Sequence, residues 1–67
     1  MNAATQPVRL LRLPEVLRTI GISRSHLYKM MSEGVFPLSI RLSARVVAWS
    51  ACDVDSWILK RVASSRQ

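Results

Sequence analysis

The sequence predicts a small, mainly α-helical fold with one β-hairpin, in the order α-α-β-β-α. The chain has 67 residues, of which 49% are hydrophobic, a composition typical of a folded domain rather than of a disordered tail. A chain of this length forms one domain, near the lower limit at which a single core is stable. Apolar residues recur at helical spacing in three segments, whereas the segment between the second and third alternates apolar and polar residues.

The first two predicted helices are joined by a very short turn. The first covers residues 13–20, where Pro14 suits the first turn and Gly21 ends the helix. The second begins after Ser23, a good N-cap, and ends at Gly34. Two short helices joined in this way form a helix-turn-helix unit. The apolar faces of the two helices consist of Leu13, Val16, Leu17 and Ile20, and of Leu27, Met30 and Met31.

A β-hairpin is predicted after Gly34, where the pattern of apolar residues changes. Residues 38–42 alternate between apolar and polar, and residues 46–49 are β-branched and aromatic. The connection Ser43-Ala44-Arg45 lacks the Gly or Asn that hairpin turns favour, which leaves its geometry open.

The closing helix is predicted from Ser50 to about Arg61. Ser50 and Asp53 resemble a capping box at its start. Phe36, Trp49 and Trp57 are the bulky side chains that allow so short a chain to bury enough area. The apolar face of this helix consists of Ala51, Val54, Trp57, Ile58 and Val62.

The ends of the chain show no periodicity. Residues 1–8 are expected to form a flexible arm, residues 63–67 a frayed tail, and residues 9–62 the folded domain. No segment has the layout of a signal peptide or the length of a transmembrane helix, so we expect a cytoplasmic protein.

Positive charge is concentrated in the first two thirds of the chain. Ten Lys and Arg residues against four Asp and Glu residues give a formal net charge of +6. The closing helix is nearly balanced, so the excess lies on the helix-turn-helix unit and the hairpin, and this distribution indicates a nucleic acid partner. The cations of those two elements are Arg9, Arg12, Arg18, Arg24, Lys29, Arg41 and Arg45.

The second helix of a helix-turn-helix unit enters the major groove by its N-terminal end. Arg24 could pair with guanine O6 and N7, and Ser25 and His26 could reach base edges or phosphates. Equal losses on specific and random duplexes after mutation would instead assign Arg24 to a phosphate. Ser23 is favoured as a helix cap, and the alternative for the charged residues is an ordinary solvated helix face. The expected contact residues are Ser23, Arg24, Ser25, His26, Tyr28 and Lys29.

Four further arginines are candidates for contacts with the DNA backbone. Arg41 and Arg45 flank the tip of the hairpin, although hairpin tips are often charged only for solubility. Arg9 and Arg12 could touch phosphates where the chain enters the first helix.

The residues with reactive side chains do not form a catalytic or metal-binding set. Cys52 and His26 are a lone cysteine and a lone histidine, too few to bind zinc. Asp53 and Asp55 are two positions apart on a helix and point in different directions. Because a preorganised catalytic pocket also needs more scaffold than this chain provides, we expect neither an enzyme nor a cofactor.

A set of short motifs extends over residues 9–61. These are RLLRLPEVL (9–17), GISRSHLY (21–28), EGVFP (33–37), IRL (40–42), Arg45, Trp49 and VDSW (54–57). As a set they resemble AlpA-type prophage regulators, a family that is similar to excisionases and to the DNA-binding heads of MerR-type regulators.

The resemblance implies a winged-helix fold that binds DNA, with residues 41–45, including Ser43, in the wing. Two residues depart from the family pattern. His26 stands where the family often has Thr, which would change base preference or add pH dependence near neutrality. Ser43 stands where the wing commonly carries Gly, which would alter the bend of the wing.

We therefore expect a sequence-specific regulator of prophage or mobile-element genes that binds double-stranded DNA in the bacterial nucleoid. One alternative is an excisionase-like factor that bends DNA at an attachment site, with an integrase as a partner. Another is a small basic adaptor that binds an acidic protein. Because so small a chain reads few base pairs and lacks a long C-terminal helix for a coiled coil, several copies are expected on repeated sites.

Overall fold

The computed structural model describes residues 8–66, which form three helices and three short strands. The predicted order α-α-β-β-α is confirmed, and the fold is a winged helix-turn-helix. Most of the predicted arm, and Gln67 of the predicted tail, lie outside the described residues. The elements are β1 (Leu10–Leu11), α1 (Leu13–Ile20), α2 (Arg24–Ser32), β2 (Ile40–Ser43), β3 (Val46–Ser50) and α3 (Ala51–Ser65).

The strand β1 was not expected from the sequence. It pairs antiparallel with β3, with Leu10 opposite Ser50 and Leu11 opposite Trp49, so the sheet has the order β1-β3-β2. The pairing continues into α3, where the amide of Ala51 donates to the carbonyl oxygen of Arg9 at 3.0 Å. Two residues are too few to show an alternating pattern, and therefore only the tertiary structure identifies this strand.

The helix-turn-helix unit has the predicted boundaries. Gly21 ends α1 in the left-handed region, at φ 79° and ψ 35°, and its amide donates to the carbonyl oxygen of Leu17 at 2.7 Å. The second glycine, Gly34, follows α2 with φ 74°. Both positions therefore need the positive φ that glycine adopts without a steric penalty.

The prediction of a frayed tail is wrong for residues 63–65. Helix α3 continues to Ser65 rather than ending near Arg61. The sequence after Arg61 contains no Gly or Pro to stop a helix, and Ala63 favours its continuation. Val62, expected on the buried face, is 39% exposed. The last turns of α3 thus extend beyond the core.

The core lies between the sheet and the three helices. Trp49, Leu27, Val16 and Val54 are its largest fully buried side chains. Phe36 is also buried and packs edge-on against Trp57, with ring centroids 4.9 Å apart. The aromatic residues therefore act as the predicted anchors of a small core.

Two indole groups hold the loop between α2 and β2. Trp49 Nε1 donates to the carbonyl oxygen of Pro37 at 3.2 Å, and Trp57 Nε1 donates to that of Val35 at 2.6 Å. These bonds join the loop to β3 and to α3, so the hairpin has a defined position relative to α2. None of the helices within residues 8–66 is long and apolar enough to cross a membrane.

Candidate nucleic-acid interface

The N-terminal end of α2 is capped by Ser23, whose hydroxyl oxygen accepts a hydrogen bond from the amide of His26 at 3.2 Å. The capping role predicted for Ser23 is therefore confirmed. The three residues that follow, Arg24, Ser25 and His26, all have exposed side chains. The first turn of α2 is therefore exposed, and those of its amides that the cap does not satisfy have no partner within the helix.

The two sides of α2 differ as the sequence predicts. Leu27 and Met30 are buried, and Met31 is half-buried. On the opposite side, Lys29 is exposed and Tyr28 is 43% exposed. Packing of the apolar stripe against the core therefore fixes which polar residues of α2 face outward.

The wing is the hairpin of β2 and β3, connected by Ala44 and Arg45. Ser43 pairs with Val46, and the register shifts between Arg41 and Ser43, where an additional residue forms a bulge. No residue other than glycine among residues 8–66 has a positive φ. The turn is therefore not one of the primed types that require Gly or Asn, and Ser43 needs no conformation that only glycine adopts.

The side chain of Arg41 forms a hydrogen bond within the wing that supports this turn. Its Nη1 donates to the carbonyl oxygen of Ala44 at 3.1 Å. Within residues 8–66, this is the only side-chain hydrogen bond in which a guanidinium group is the donor. Arg41 thus has a structural role that the sequence did not indicate, in addition to its predicted contact with DNA.

Four of the predicted contact residues, Arg12, Arg24, Tyr28 and Arg45, line a single cleft of about 280 Å³, which we call the arginine cleft. Arg12 reaches it from the start of α1, Arg24 from the first turn of α2, and Arg45 from the tip of the wing. The other residues that line the cleft are Leu13, Pro14 and Val47.

The remaining predicted residues lie outside the arginine cleft but are exposed on the same elements. They are Ser23, the cap of α2, Ser25, His26 and Lys29 on α2, and Arg41 and Ser43 on the wing. Arg9 is also exposed and precedes β1. The sequence predicted Arg12 only as a separate phosphate contact, because no pattern of neighbouring residues indicates that it lies near residues 24 and 45 in the fold. It also missed Pro14 and Val47 as the apolar part of this surface.

The electrostatic character of the cleft is strongly positive. Arginine side chains remain charged at every pH at which proteins function, and three of them line this cleft without an acidic residue. Glu15, in the first turn of α1, accepts a hydrogen bond from the amide of Arg12 at 3.3 Å and so caps α1. Within residues 8–66, no group of three or more His, Cys, Asp or Glu side chains could hold a metal ion. Chemically, the surface is equipped to bind anions.

The fold and this basic surface define a small winged helix-turn-helix protein. Residues 9–62 match the family model of the prophage CP4-57 regulatory protein (AlpA). The chain belongs to the AlpA family of prophage regulatory proteins, as the resemblance of its motifs predicted.

Two proteins have sequences similar to that of this chain. It is 37% identical over 59 residues to the uncharacterized protein ORF88 of Enterobacteria phage P4, a match that covers 88% of this chain and 67% of that protein. It is 30% identical over 60 residues to the DNA-binding transcriptional activator AlpA of Escherichia coli (strain K12), which covers 81% of this chain and 86% of that protein.

Proposed function

We propose that this chain is a DNA-binding regulator of prophage or other mobile-element genes. The observation that carries the proposal is the basic surface shared by three elements, namely the start of α1, the exposed side of α2 and the wing. The similarity to a DNA-binding transcriptional activator supports the same conclusion. In this proposal the protein acts by binding, without a catalytic step.

In the proposed complex, α2 enters the major groove with its capped N-terminal end. Ser25, His26 and Lys29 are exposed there, and each carries a group that forms hydrogen bonds with base edges or phosphates. The free amides at the start of the helix favour a nearby phosphate, and Ser23 lies at the same end. Sequence specificity in this proposal comes mainly from this short segment.

In this proposal, the wing and the entrance to α1 contact the DNA backbone next to α2. Arg45 and Ser43 lie at the tip of the wing, with Arg41 beside them, and Arg12 and Arg9 lie near the start of α1. Such contacts fix the register and orientation of the protein on the duplex without reading the sequence. Their loss should therefore weaken binding to all DNA sequences to a similar extent.

Several copies bind repeated sites in this proposal. A single recognition module buries about 600–1,000 Å² against DNA and reads few base pairs. The closing helix α3 has 15 residues, about four turns, and 4 of those residues, Ala51, Val54, Trp57 and Ile58, pack into or against the core. It therefore offers little length for a coiled-coil dimer, and repetition of the site supplies the missing specificity.

Selection of bound fragments from host genomic DNA tests the proposed function. Purified protein is mixed with sheared DNA at increasing salt, and the retained fragments are sequenced. We expect a shared motif near promoters of prophage or mobile-element genes, bound at least 1,000-fold more tightly than random DNA, roughly as for other specific proteins. Motifs confined to attachment sites would favour the excisionase-like role. Binding no tighter than to random DNA would contradict the proposal and favour an acidic protein partner.

A further inference from the structure

We propose that the arginine cleft binds one phosphate group, held jointly by the guanidinium groups of Arg12, Arg24 and Arg45. The inference rests on the proposed function and deepens it, because the expected source of this phosphate is one phosphodiester of the bound DNA. It also implies that Arg24 contacts the DNA backbone rather than a guanine base.

The three arginines come from separate parts of the chain. Arg12 precedes α1 with an extended backbone, at φ −86° and ψ 167°, Arg24 is the first residue of α2, and Arg45 lies in the turn of the wing. All three are exposed, and all three line the same cleft. The fold therefore brings together three positive charges that repel each other, and an anion between them would remove this repulsion.

No protein group competes for these guanidiniums within the described part of the chain. The side-chain hydrogen bonds of residues 8–66 include none donated by the guanidinium of Arg12, Arg24 or Arg45. Glu15 accepts from the amide of Arg12 rather than from its side chain. The planar donor groups are therefore available to an external acceptor.

The composition of the cleft fits a phosphate better than a base. The guanine edge accepts one guanidinium at O6 and N7, so the three arginines that line this cleft exceed what a single base can use. Phosphate oxygens accept several donors at once, often in bidentate pairs with arginine. Tyr28 also lines the cleft and carries a hydroxyl group that can donate a hydrogen bond, and Pro14 and Val47 are its apolar neighbours.

DNA with single neutral methylphosphonate linkages tests the assignment, once the recognised site is known. Binding of the wild-type protein is measured for a series of duplexes in which one phosphate at a time is neutral. We expect one position at which the neutral linkage weakens binding by about 10-fold to 100-fold, as for the loss of a hydrogen bond to a charged group.

The variants Arg12→Gln, Arg24→Gln and Arg45→Gln should each bind more weakly and should each lose sensitivity to a neutral linkage at that same position. Arg18→Gln is the matched control, because it removes an exposed arginine of α1 outside the cleft. This control should keep the full sensitivity. Circular dichroism establishes that each variant is folded, which is expected because all four side chains are exposed.

Other outcomes would overturn the inference. Three variants that lose sensitivity at three different positions would show separate phosphate contacts. An Arg24→Gln variant that binds its site and random DNA equally, but keeps the methylphosphonate effect, would show that Arg24 contacts a base rather than the shared phosphate. Either result leaves the proposed function intact, whereas wild-type protein that shows no specific DNA binding contradicts the proposed function itself.

A free phosphate ion offers the same chemistry as a phosphodiester, and a second measurement separates the two sources. Inorganic phosphate is titrated into the DNA-free protein while the Nε–Hε signals of the arginines are followed by NMR. Joint, saturable shifts of Arg12, Arg24 and Arg45 that are lost in Arg45→Gln support the shared site. If the neutral linkage also weakens DNA binding, the NMR shifts and this effect together assign the shared site to a phosphodiester of DNA. If the neutral linkage has no effect, the NMR shifts assign the shared site to a free phosphate ion. Absence of both effects overturns the inference.

Discussion

Arg41 and Arg45 lie on the same hairpin, but their guanidinium groups have different surroundings. Arg41 donates to the carbonyl oxygen of Ala44 and so supports the turn. Arg45 lies within the turn and lines the arginine cleft. A guanidinium that already has a protein partner gains less from a phosphate than one that has none. Within the proposed complex, we therefore expect Arg45 to contribute more to DNA binding than Arg41.

The first prediction concerns the salt dependence of DNA binding. Lys29→Ala should reduce the slope of log K against log salt by about one unit, because it removes the proposed contact with one phosphate. Arg45→Ala should reduce the slope by less than one unit, because Arg12 and Arg24 still neutralise the phosphate in the arginine cleft. Fluorescence anisotropy with a labelled duplex at several salt concentrations gives this slope. Lys60→Ala on α3 is the control, and its slope should equal that of the wild type. A reduced slope for Lys60→Ala would mean that net charge, rather than position, determines binding.

Gly21 provides a second prediction, for stability. Its φ of 79° is unfavourable for residues with a side chain, and a Cβ atom added there would meet nothing within 4 Å. Gly21→Ala should therefore destabilise the protein through backbone strain alone, by about 1–2 kcal/mol. Gly21→Asn should cost less, because Asn adopts the left-handed region more readily. Urea unfolding measures both values, and equal stability of wild type and Gly21→Ala would contradict this account.

At the residue scale, the sequence predicts best what depends on near neighbours. Ser23 is identified as a cap because a cap acts on an amide only three residues away. The meeting of Arg12, Arg24 and Arg45 could not be predicted in this way. It depends on how the wing and α1 pack together, which no local pattern encodes.

Among the elements, the loop between α2 and β2 determines where the wing lies. It has no regular structure, yet the indole groups of Trp49 and Trp57 bind its carbonyl oxygens at Pro37 and Val35. Phe36, between these two positions, is buried in the core. Polar and apolar contacts thus act together to hold a segment that would otherwise allow the wing to move relative to α2.

The third prediction tests this arrangement. Trp49→Phe removes the indole N–H bonded to Pro37 and leaves a gap in a fully buried position. We expect a loss of about 1–3 kcal/mol for the unpaired carbonyl group, with a further cost for the cavity. Trp57→Phe is the comparison, and its loss should be smaller because Trp57 is only half-buried. Urea unfolding measures the free energy of unfolding of both variants. A larger loss of stability for Trp57→Phe than for Trp49→Phe would contradict the prediction.

The elements differ in how far the sequence predicts them. The boundaries of α1 and α2 follow from glycine stops and a serine cap, which are strong local signals. The strand β1 has no such signal, since it exists only through its pairing with β3. The strand β2 begins at Ile40 rather than residue 38, because pairing with β3, not the alternating pattern, determines where a strand starts.

On the scale of the whole molecule, the small size of the domain limits how much DNA one copy can contact in the proposed complex. The principal extents of the molecule are 36, 35 and 20 Å. The longest of these is about equal to one turn of B-DNA, which is about 34–36 Å long. A single copy therefore covers about one turn of the duplex at most. Longer recognition sites require further copies that lie along the same side of the DNA.

The fourth prediction follows from this dimension. Two copies of the site spaced by about 10.5 bp should place two proteins on the same side of the duplex, and we expect tighter binding than to two isolated sites. Insertion of about 5 bp, half a turn, should abolish this gain by rotating one protein to the opposite side. Gel-shift titrations on the two duplexes measure the effect. Independent binding at both spacings would exclude contacts between neighbouring copies.

The arginine cleft also has a consequence for the lifetime of the protein. Its three arginines meet only in the folded chain, so a phosphate held among them binds the native state and not the unfolded one. Occupancy at 100 times the dissociation constant would add about 2.7 kcal/mol to the free energy of unfolding. For a domain of 67 residues, which has a small core, this is a large fraction of its total stability. Protein bound to DNA would then resist proteolysis far longer than free protein, and the cellular concentration of this regulator would follow the number of its occupied sites.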